Sequence, residues 1–446
     1  MVFQNNVLSG AGGSGTTVHT IDQSIRFNSN DSTYMQRTHG AGGNVDLFTI
    51  SFWFKRSTLG TEQFMFGSGA NTSNTSDLMF KTDNTLQFYS YISAYQTQLI
   101  TTQVFRDVSA WYHVVINYDS GNAASTERVR MYINGERVED FSTETYPSQN
   151  QDGIVGSNTN IGFGRYISYG SSYFNGYLAE MHYVNGYGYG PEYFGEFNSS
   201  GIWIPKEYSE SYGTGGFFVD GRDSSDLGDD ESGNGNDLTT SGLNSYDKRN
   251  DSPTKNFATW NPLTGTAQTY SNGNLKATTA SSAWKGGLAT MQVPLNSGTW
   301  YYEWYVTSAG SSSGQMSIGW AESNRSITDN NDSGDTEGWI TYALNGNYYA
   351  RSGNGSYGAS YTTGDVIGCK INTNTSSNNV EWYKNGASQG TRSEAFNLGG
   401  TGFISPYVLL YGSRDGIARF DNIDWTQTPS GITEDNAINT KNLGAE

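Results

Sequence analysis

The run Thr49-Ile50-Ser51-Phe52-Trp53-Phe54-Lys55 sets the character of the chain. Ile50, Phe52 and Phe54 alternate with Ser51, Trp53 and Lys55. Successive side chains of a β-strand point to opposite faces, so this period of two marks a strand with one face on a core. The pattern recurs outward from there. Tyr112, Val114, Ile116 and Tyr118 repeat it, and Val129, Met131 and Ile133 stand opposite Arg128, Arg130 and Tyr132. Asn134-Gly135 follows, a pair that tolerates the positive φ angles of a type I′ hairpin turn. Far along the chain, Trp300, Tyr302, Trp304 and Val306 alternate with Tyr301, Glu303 and Tyr305. Val380-Glu381-Trp382-Tyr383-Lys384 runs into Asn385-Gly386, and Asn272-Gly273 and Asn345-Gly346 are two more turn signals. Stretches of period 3.6 do not accompany them, so the expected fold class is all-β, with antiparallel sheets packed face to face as two β-sandwich domains.

Composition supports this reading and narrows the function. Length alone, 446 residues, suggests more than one domain. Gly outnumbers Pro 56 to 8, which favours many tight turns, and the 31 Tyr, 21 Phe and 11 Trp supply core area that the aliphatic content does not. A formal charge of −18 opposes a phosphate-tracking role and repels anionic membrane surfaces, so neither nucleic acid nor membrane insertion is expected. Cations are the partner class that the acidity favours. The lone Cys369 rules out an intrachain disulfide, and its place in Val366-Ile367-Gly368-Cys369-Lys370-Ile371 reads as a buried strand thiol. The opening Met1-Val2-Phe3-Gln4-Asn5-Asn6 lacks the basic and apolar regions of a signal peptide, so none is expected.

The expected organisation has five parts. Residues 1–20 are a Gly/Ser/Thr-rich flexible arm, suited to docking on a neighbour in an assembly, and 21–206 form the first sandwich. Residues 207–255, acidic and rich in Gly and Asn, read as a connector. The second sandwich is expected over 256–428, with a polar C-terminal tail from 429 to 446.

Four segments of the first domain resemble the concanavalin A-like lectin/glucanase superfamily in its laminin-G-like branch. They are Thr49–Lys55, Ala110-Trp111-Tyr112-His113-Val114-Val115, Arg128–Gly135 and Phe174-Asn175-Gly176-Tyr177-Leu178-Ala179-Glu180-Met181. The resemblance implies a jelly-roll of two curved sheets. The second domain is similar to SPRY domains in Gly298–Trp304, Ser317-Ile318-Gly319-Trp320-Ala321, Gly364–Cys369, Val380–Gly386 and Ile404-Ser405-Pro406-Tyr407-Val408. SPRY domains are protein-interaction modules, so binding by loops is implied. The pairing of the two resembles structural proteins of marine tailed phages, through Gly201-Ile202-Trp203-Ile204-Pro205-Lys206 and Asp251–Thr259 among others. That likeness implies a virion protein assembled in the host cytoplasm, of the capsid-decoration or tail-fibre type. Its expected partners are other virion proteins, further copies of itself, and a host-surface glycan or protein. The alternative is a soluble lectin-like protein that binds glycans without cleaving them.

Catalysis is not expected. Glycoside hydrolysis needs two carboxyl groups on one face, and glucanases of the superfamily carry them at alternate positions of one strand. The comparable strand here, Ala179-Glu180-Met181-His182-Tyr183-Val184, offers one carboxylate and one imidazole. Asp332, Asp335 and Glu337 lie in a Gly/Asn/Ser loop, and His19, His39, His113 and His182 are scattered outside any nucleophile motif. Calcium is the candidate cofactor, with Asp223, Asp226, Asp229, Asp230 and Asp237 as an oxygen-rich ligand set; ordinary solvated turns are the competing reading of that run. For a glycan the candidates are Tyr187 and Tyr189, flanked by Gly186, Gly188 and Gly190 within the tyrosine-rich stretch 165–193.

Overall fold

The computed structural model describes residues 18–40, 42–264, 268–310, 316–323, 325, 338–374, 378–394, 396 and 402–443. Residues 1–17 of the expected arm, and Asp332, Asp335 and Glu337, lie outside the described residues. The chain is all-β: strands and short 3-10 turns make up its elements, with no α-helix among the described residues. It divides into two compact units, Met1–Lys255 and Asn256–Glu446.

The first unit is a sandwich of two eight-stranded antiparallel sheets. In the first sheet the strand Leu47–Arg56 lies between Trp111–Asp119 and Gly176–Asn185. Its register places Ile50 opposite Ile116 and Phe52 opposite Val114. These residues, with Phe54, Val129, Met131 and Ile133, form the core against the second sheet, as their alternation requires. Asn134 (φ 49°) and Gly135 (φ 81°) turn the hairpin with both φ angles positive. Burial on one face only was the expectation, but the alternate set is covered too: Trp53 is 2% exposed and Lys55 0%.

Ile21 and Trp203 pack on Trp53, and the cover of Lys55 comes from chain that read as a connector. Residues 207–255 belong to the first unit. Phe217–Val219 pairs with Gly176–Asn185, Thr239–Ser241 with Tyr34–Thr38, and Lys248–Arg249 with Ser24–Phe27. Phe217, Val219, Leu227 and Leu238 enter the core. A few well-spaced apolar residues and backbone pairing suffice to fold the segment, although its composition is that of a loop. Asp251 fastens it. This buried carboxylate accepts from Lys55 Nζ at 2.8 Å and from Trp111 Nε1 at 3.0 Å.

The second unit packs two seven-stranded antiparallel sheets around Trp260, Trp300, Tyr302, Trp304, Trp320 and Trp382. Cys369 is wholly buried among them, as its strand pattern implies. The expected polar tail is also integrated: Ile438 enters the core, and Ala437 and Asn439 bridge to Tyr301 and Phe257. Leu443 packs against the same core, so a few apolar residues anchor a stretch that is mostly polar.

Candidate functional site

The outer face of the first sheet is interrupted at one residue. On the strand Gly176–Asn185, Leu178 points to the core, and so do Met181 and Tyr183. The spacing changes from two to three because a β-bulge lies between Ala179 and His182. Glu180 sits in it with φ 45°, a left-handed backbone that side-chain-bearing residues seldom adopt. Strain of this kind persists where neighbours hold it, and it concentrates at ligand sites.

The bulge turns the Glu180 side chain outward beside His182. His19 Nε2 meets Glu180 Oε1 at 2.5 Å. The other oxygen, Oε2, has His182 Nε2 at 4.0 Å, too far for a hydrogen bond. His182 Nδ1 lies 2.9 Å from the Tyr212 hydroxyl, and its ring stacks 4.4 Å from that of Phe218. Both side chains are nearly buried, Glu180 at 7% exposure and His182 at 4%. Burial would raise the Glu180 carboxyl, but the two imidazoles outweigh it and hold the group down at about 2. Burial lowers His182, against the pull of Glu180, whereas the hydrogen bond to Glu180 raises His19.

These groups open on a cavity of about 480 Å³, entirely within the first unit. Asp22, Glu207, Asp220 and Glu231 also line it, with Tyr208, Tyr212 and Phe218 as apolar wall. Arg222 Nη2 reaches Asp220 at 2.7 Å, and Nη1 reaches Glu231 at 3.3 Å. The structure thus brings to one place three carboxylates of the supposed connector and the Glu180 strand. Their meeting is set by the Phe217–Val219 strand, which carries Phe218 and Asp220 alongside His182. The one sequence signal for the bulge was the odd spacing of Leu178, Met181 and Tyr183.

The two predicted tyrosines stand at the solvent end of an aromatic row. The Tyr187 and Tyr189 rings are parallel (2°) with centroids 5.6 Å apart. Tyr189 touches Tyr193 at 4.3 Å, and the row continues through Tyr208 and Tyr212 to His182. Tyr187 is 40% exposed, while Tyr189 is half-buried and serves as packing. Tyr187 also borders a second cavity, about 460 Å³, lined by Asn44, Asn185, Ser211, Thr214 and Asn234.

The acidic run organises backbone. Asp223 accepts from Ser225 N, and Asp226 from Gly228 N. Asp230, buried, accepts from the backbone N–H groups of Phe218, Ser232 and Asn236, while Asp237 accepts from Asp230 N. Asp229 makes no side-chain hydrogen bond, and repulsion from Asp237 and Asp226 adds to burial in raising its carboxyl. Among the described residues no three carboxylate or imidazole side chains converge as metal ligands would. Asp223, Asp226, Asp230 and Asp237 act as turn formers in this arrangement.

Comparison with known proteins places both units.

Residues 27–186 match the family model of the concanavalin A-like lectin/glucanases superfamily.

Residues 299–420 match the SPRY domain model. The chain therefore carries a concanavalin A-like domain followed by a SPRY domain, both of recognition-type folds. The Glu180 bulge lies inside the concanavalin A-like match, and the residues Glu207 to Glu231 lie beyond it. No curated protein matches the sequence. Mouse laminin alpha1 chain domains LG4-5 are similar at 8% identity, covering 92% of this chain and 91% of that one, with a TM-score of 0.33. The SPRY domain of human HERC1 is similar at 19% identity, over 36% of this chain and 98% of that one, with a TM-score of 0.29. Domain 4 of AbnA, a GH43 extracellular arabinanase from Geobacillus stearothermophilus in complex with arabinotriose, is similar at 17% identity, over 42% of this chain and 82% of that one, with a TM-score of 0.31.

Proposed function

We propose that the chain is a recognition protein whose concanavalin A-like unit binds a saccharide without cleaving it, in the cavity beside Glu180. The observation that carries this is the open pair formed by Glu180 Oε2 and His182 Nε2, 4.0 Å apart on nearly buried side chains. A sugar hydroxyl between them donates to the carboxylate and accepts from the imidazole, bridging a pair too widely spaced for a short direct bond. Tyr208, Tyr212 and Phe218 supply the apolar surface against which sugar C–H faces pack. Tyr187, with the Asn44 and Asn185 amides near it, is a second contact further along the aromatic row.

Protonation supports binding over a role for Glu180 as the acid of hydrolysis. A glycosidase acid must hold its proton near neutral pH, and Glu180 is held ionised down to about 2. Asp220 and Glu231, two of the four other carboxylates that line the cavity, are both engaged by Arg222.

The setting we propose is the surface of a phage virion, with the SPRY unit as a protein-binding partner and the chain as a homo-oligomer. The resemblance of the domain pairing to structural proteins of marine tailed phages supports it. Mass spectrometry and cryo-EM of purified particles test the setting; absence of the chain from particles overturns it. A glycan array read beside a reducing-end assay tests the binding. Capture of a glycan by the wild type, its loss in Glu180→Gln and no new reducing ends are expected. Turnover of any captured glycan overturns the non-catalytic reading.

A further inference from the structure

We propose that the rim of the first unit binds a Ca²⁺ ion between Asp46, Asp152 and Ser120, joining the loop 150–153 to the ends of the strands Leu47–Arg56 and Trp111–Asp119. None of these three residues lines the Glu180 cavity or belongs to the acidic run 220–237.

Strand register places the donors. Phe48 pairs with Tyr118 and Leu47 with Asp119, so the next pair outward is Asp46 with Ser120, joined by a backbone hydrogen bond from Ser120 N to Asp46 O at 2.9 Å. Directly opposed residues of an antiparallel pair project to the same face, and faces alternate along each strand. Phe48 and Tyr118 stack in the core with ring centroids 4.7 Å apart. Asp46 and Ser120 therefore share that inner face, two residues further out at the rim. The loop 150–153 crosses there: Asn150 N donates to Ser120 O at 2.9 Å, and Gly153 N to Val45 O at 3.1 Å. The Tyr118 hydroxyl reaches Gln151 O at 3.4 Å. The Asp152 carboxylate comes within hydrogen-bonding reach of Asp46, and both charges act on the Tyr118 hydroxyl, adding to burial in raising it.

Two oxygens on this face are shut off from solvent and have no hydrogen-bond partner among the described residues: Asp46 Oδ1 and Ser120 Oγ. Ser120 is wholly buried, and its hydroxyl, aimed to the same side as Asp46, carries no charge of its own. Leaving such a group unmet is costly, so it points to a ligand independently of the two carboxylates. The carboxylates point the same way. Burial, and then the charge of Asp152, raise the Asp46 carboxyl, and a cation between the two turns their repulsion into attraction. The donors are all oxygen: two carboxylates, the Ser120 hydroxyl and the Gln151 carbonyl. Such a set suits a hard cation above a transition metal. Its assembly from three chain segments suits Ca²⁺, which tolerates irregular coordination, above Mg²⁺, which demands a near-ideal octahedron.

The test is calorimetric titration of the full chain, stripped with EDTA and dialysed, with CaCl₂ near neutral pH, read beside hydrogen exchange on peptides covering 147–156. One Ca²⁺ per chain is expected, with a Kd of about 0.1–1 mM, the range of sites with few ligand charges. Exchange in the 147–156 peptides should slow when CaCl₂ is present. Asp152→Asn, altered at an exposed position that leaves the core untouched, should weaken uptake about tenfold. Ser120→Ala should weaken it as well. No uptake by the wild type across that range overturns the site. Uptake that Asp152→Asn and Asp46→Asn leave unchanged, or that leaves exchange in 147–156 unaltered, overturns it too.

Discussion

Replacing Asp77 by Asn is expected to stabilise the first unit, and to do so only as the pH rises. Asp77 lies on Asn74–Phe80 in the second sheet, opposite Tyr89 on one side and Gly67 on the other, and is wholly buried. Thr75 Oγ1 donates to its Oδ2 at 2.7 Å, while Oδ1 has no hydrogen-bond partner. Burial pushes the carboxyl from its ordinary 3.8 to about 7, and hydrogen bonding from Thr75 offsets only part of this. The unfolded chain releases the proton near 3.8 and the folded chain keeps it until about 7, so between those values the folded state binds more protons. Stability therefore falls as the pH rises through that window, by about 1.4 kcal/mol per pH unit and about 4 kcal/mol in all. Asn has no proton to lose and escapes the penalty. Urea unfolding of wild type and Asp77→Asn at pH 5 and pH 8, read by hydrogen exchange on peptides covering 74–92, isolates the first unit. The variant's advantage should grow by about 3 kcal/mol between those conditions. An advantage that is flat with pH, or that grows on acidification, refutes the reasoning.

Three further outcomes are expected. Asp251→Ala removes the carboxylate that faces the buried Lys55 ammonium and the Trp111 indole, and should cost the first unit about 3–5 kcal/mol in chemical denaturation. Cys369 is wholly buried with its thiol pushed up by burial, so an aromatic disulfide reagent should leave it unmodified in the native chain and titrate one thiol on denaturation. Because the acidic run spends Asp223, Asp226, Asp230 and Asp237 on backbone N–H groups, Asp223→Ala/Asp226→Ala should leave both the response of the melting temperature to EDTA and the Ca²⁺ uptake measured by calorimetry as they are in the wild type.

The alternation of Ile50, Phe52 and Phe54 was enough to identify the core strand and its inward face. The same holds for Trp300, Tyr302 and Trp304. Where sequence reading failed, it failed on sparse signals. Residues 207–255 hold Phe217, Val219, Leu227 and Leu238 among many Asp, Gly and Asn, and composition outweighed those four in the reading. Trp53 and Lys55 read as an open face because the chain that covers them arrives from residues 194–255. Of the two candidate tyrosines, the exposure of Tyr187 was legible from its glycine neighbours, whereas Tyr189 is half-buried against Tyr193 and Tyr208. Glu180 was read as a lone carboxylate on its strand, and on that strand it is alone.

What the sequence determined by itself is local: which side chains alternate, where Asn-Gly turns the chain, and that two all-β units follow one another. Those properties depend on neighbours a few residues apart, and the period of two records them directly. The site belongs to the tertiary structure. His19, Glu180, Glu207, Asp220 and Glu231 are separated by up to 212 positions, and they meet because a bulge re-aims one strand while the chain beyond it folds back to pair beside it. A one-residue shift in register and a return of distant chain leave almost no mark on local composition, so only the fold decides which carboxylates share a cavity.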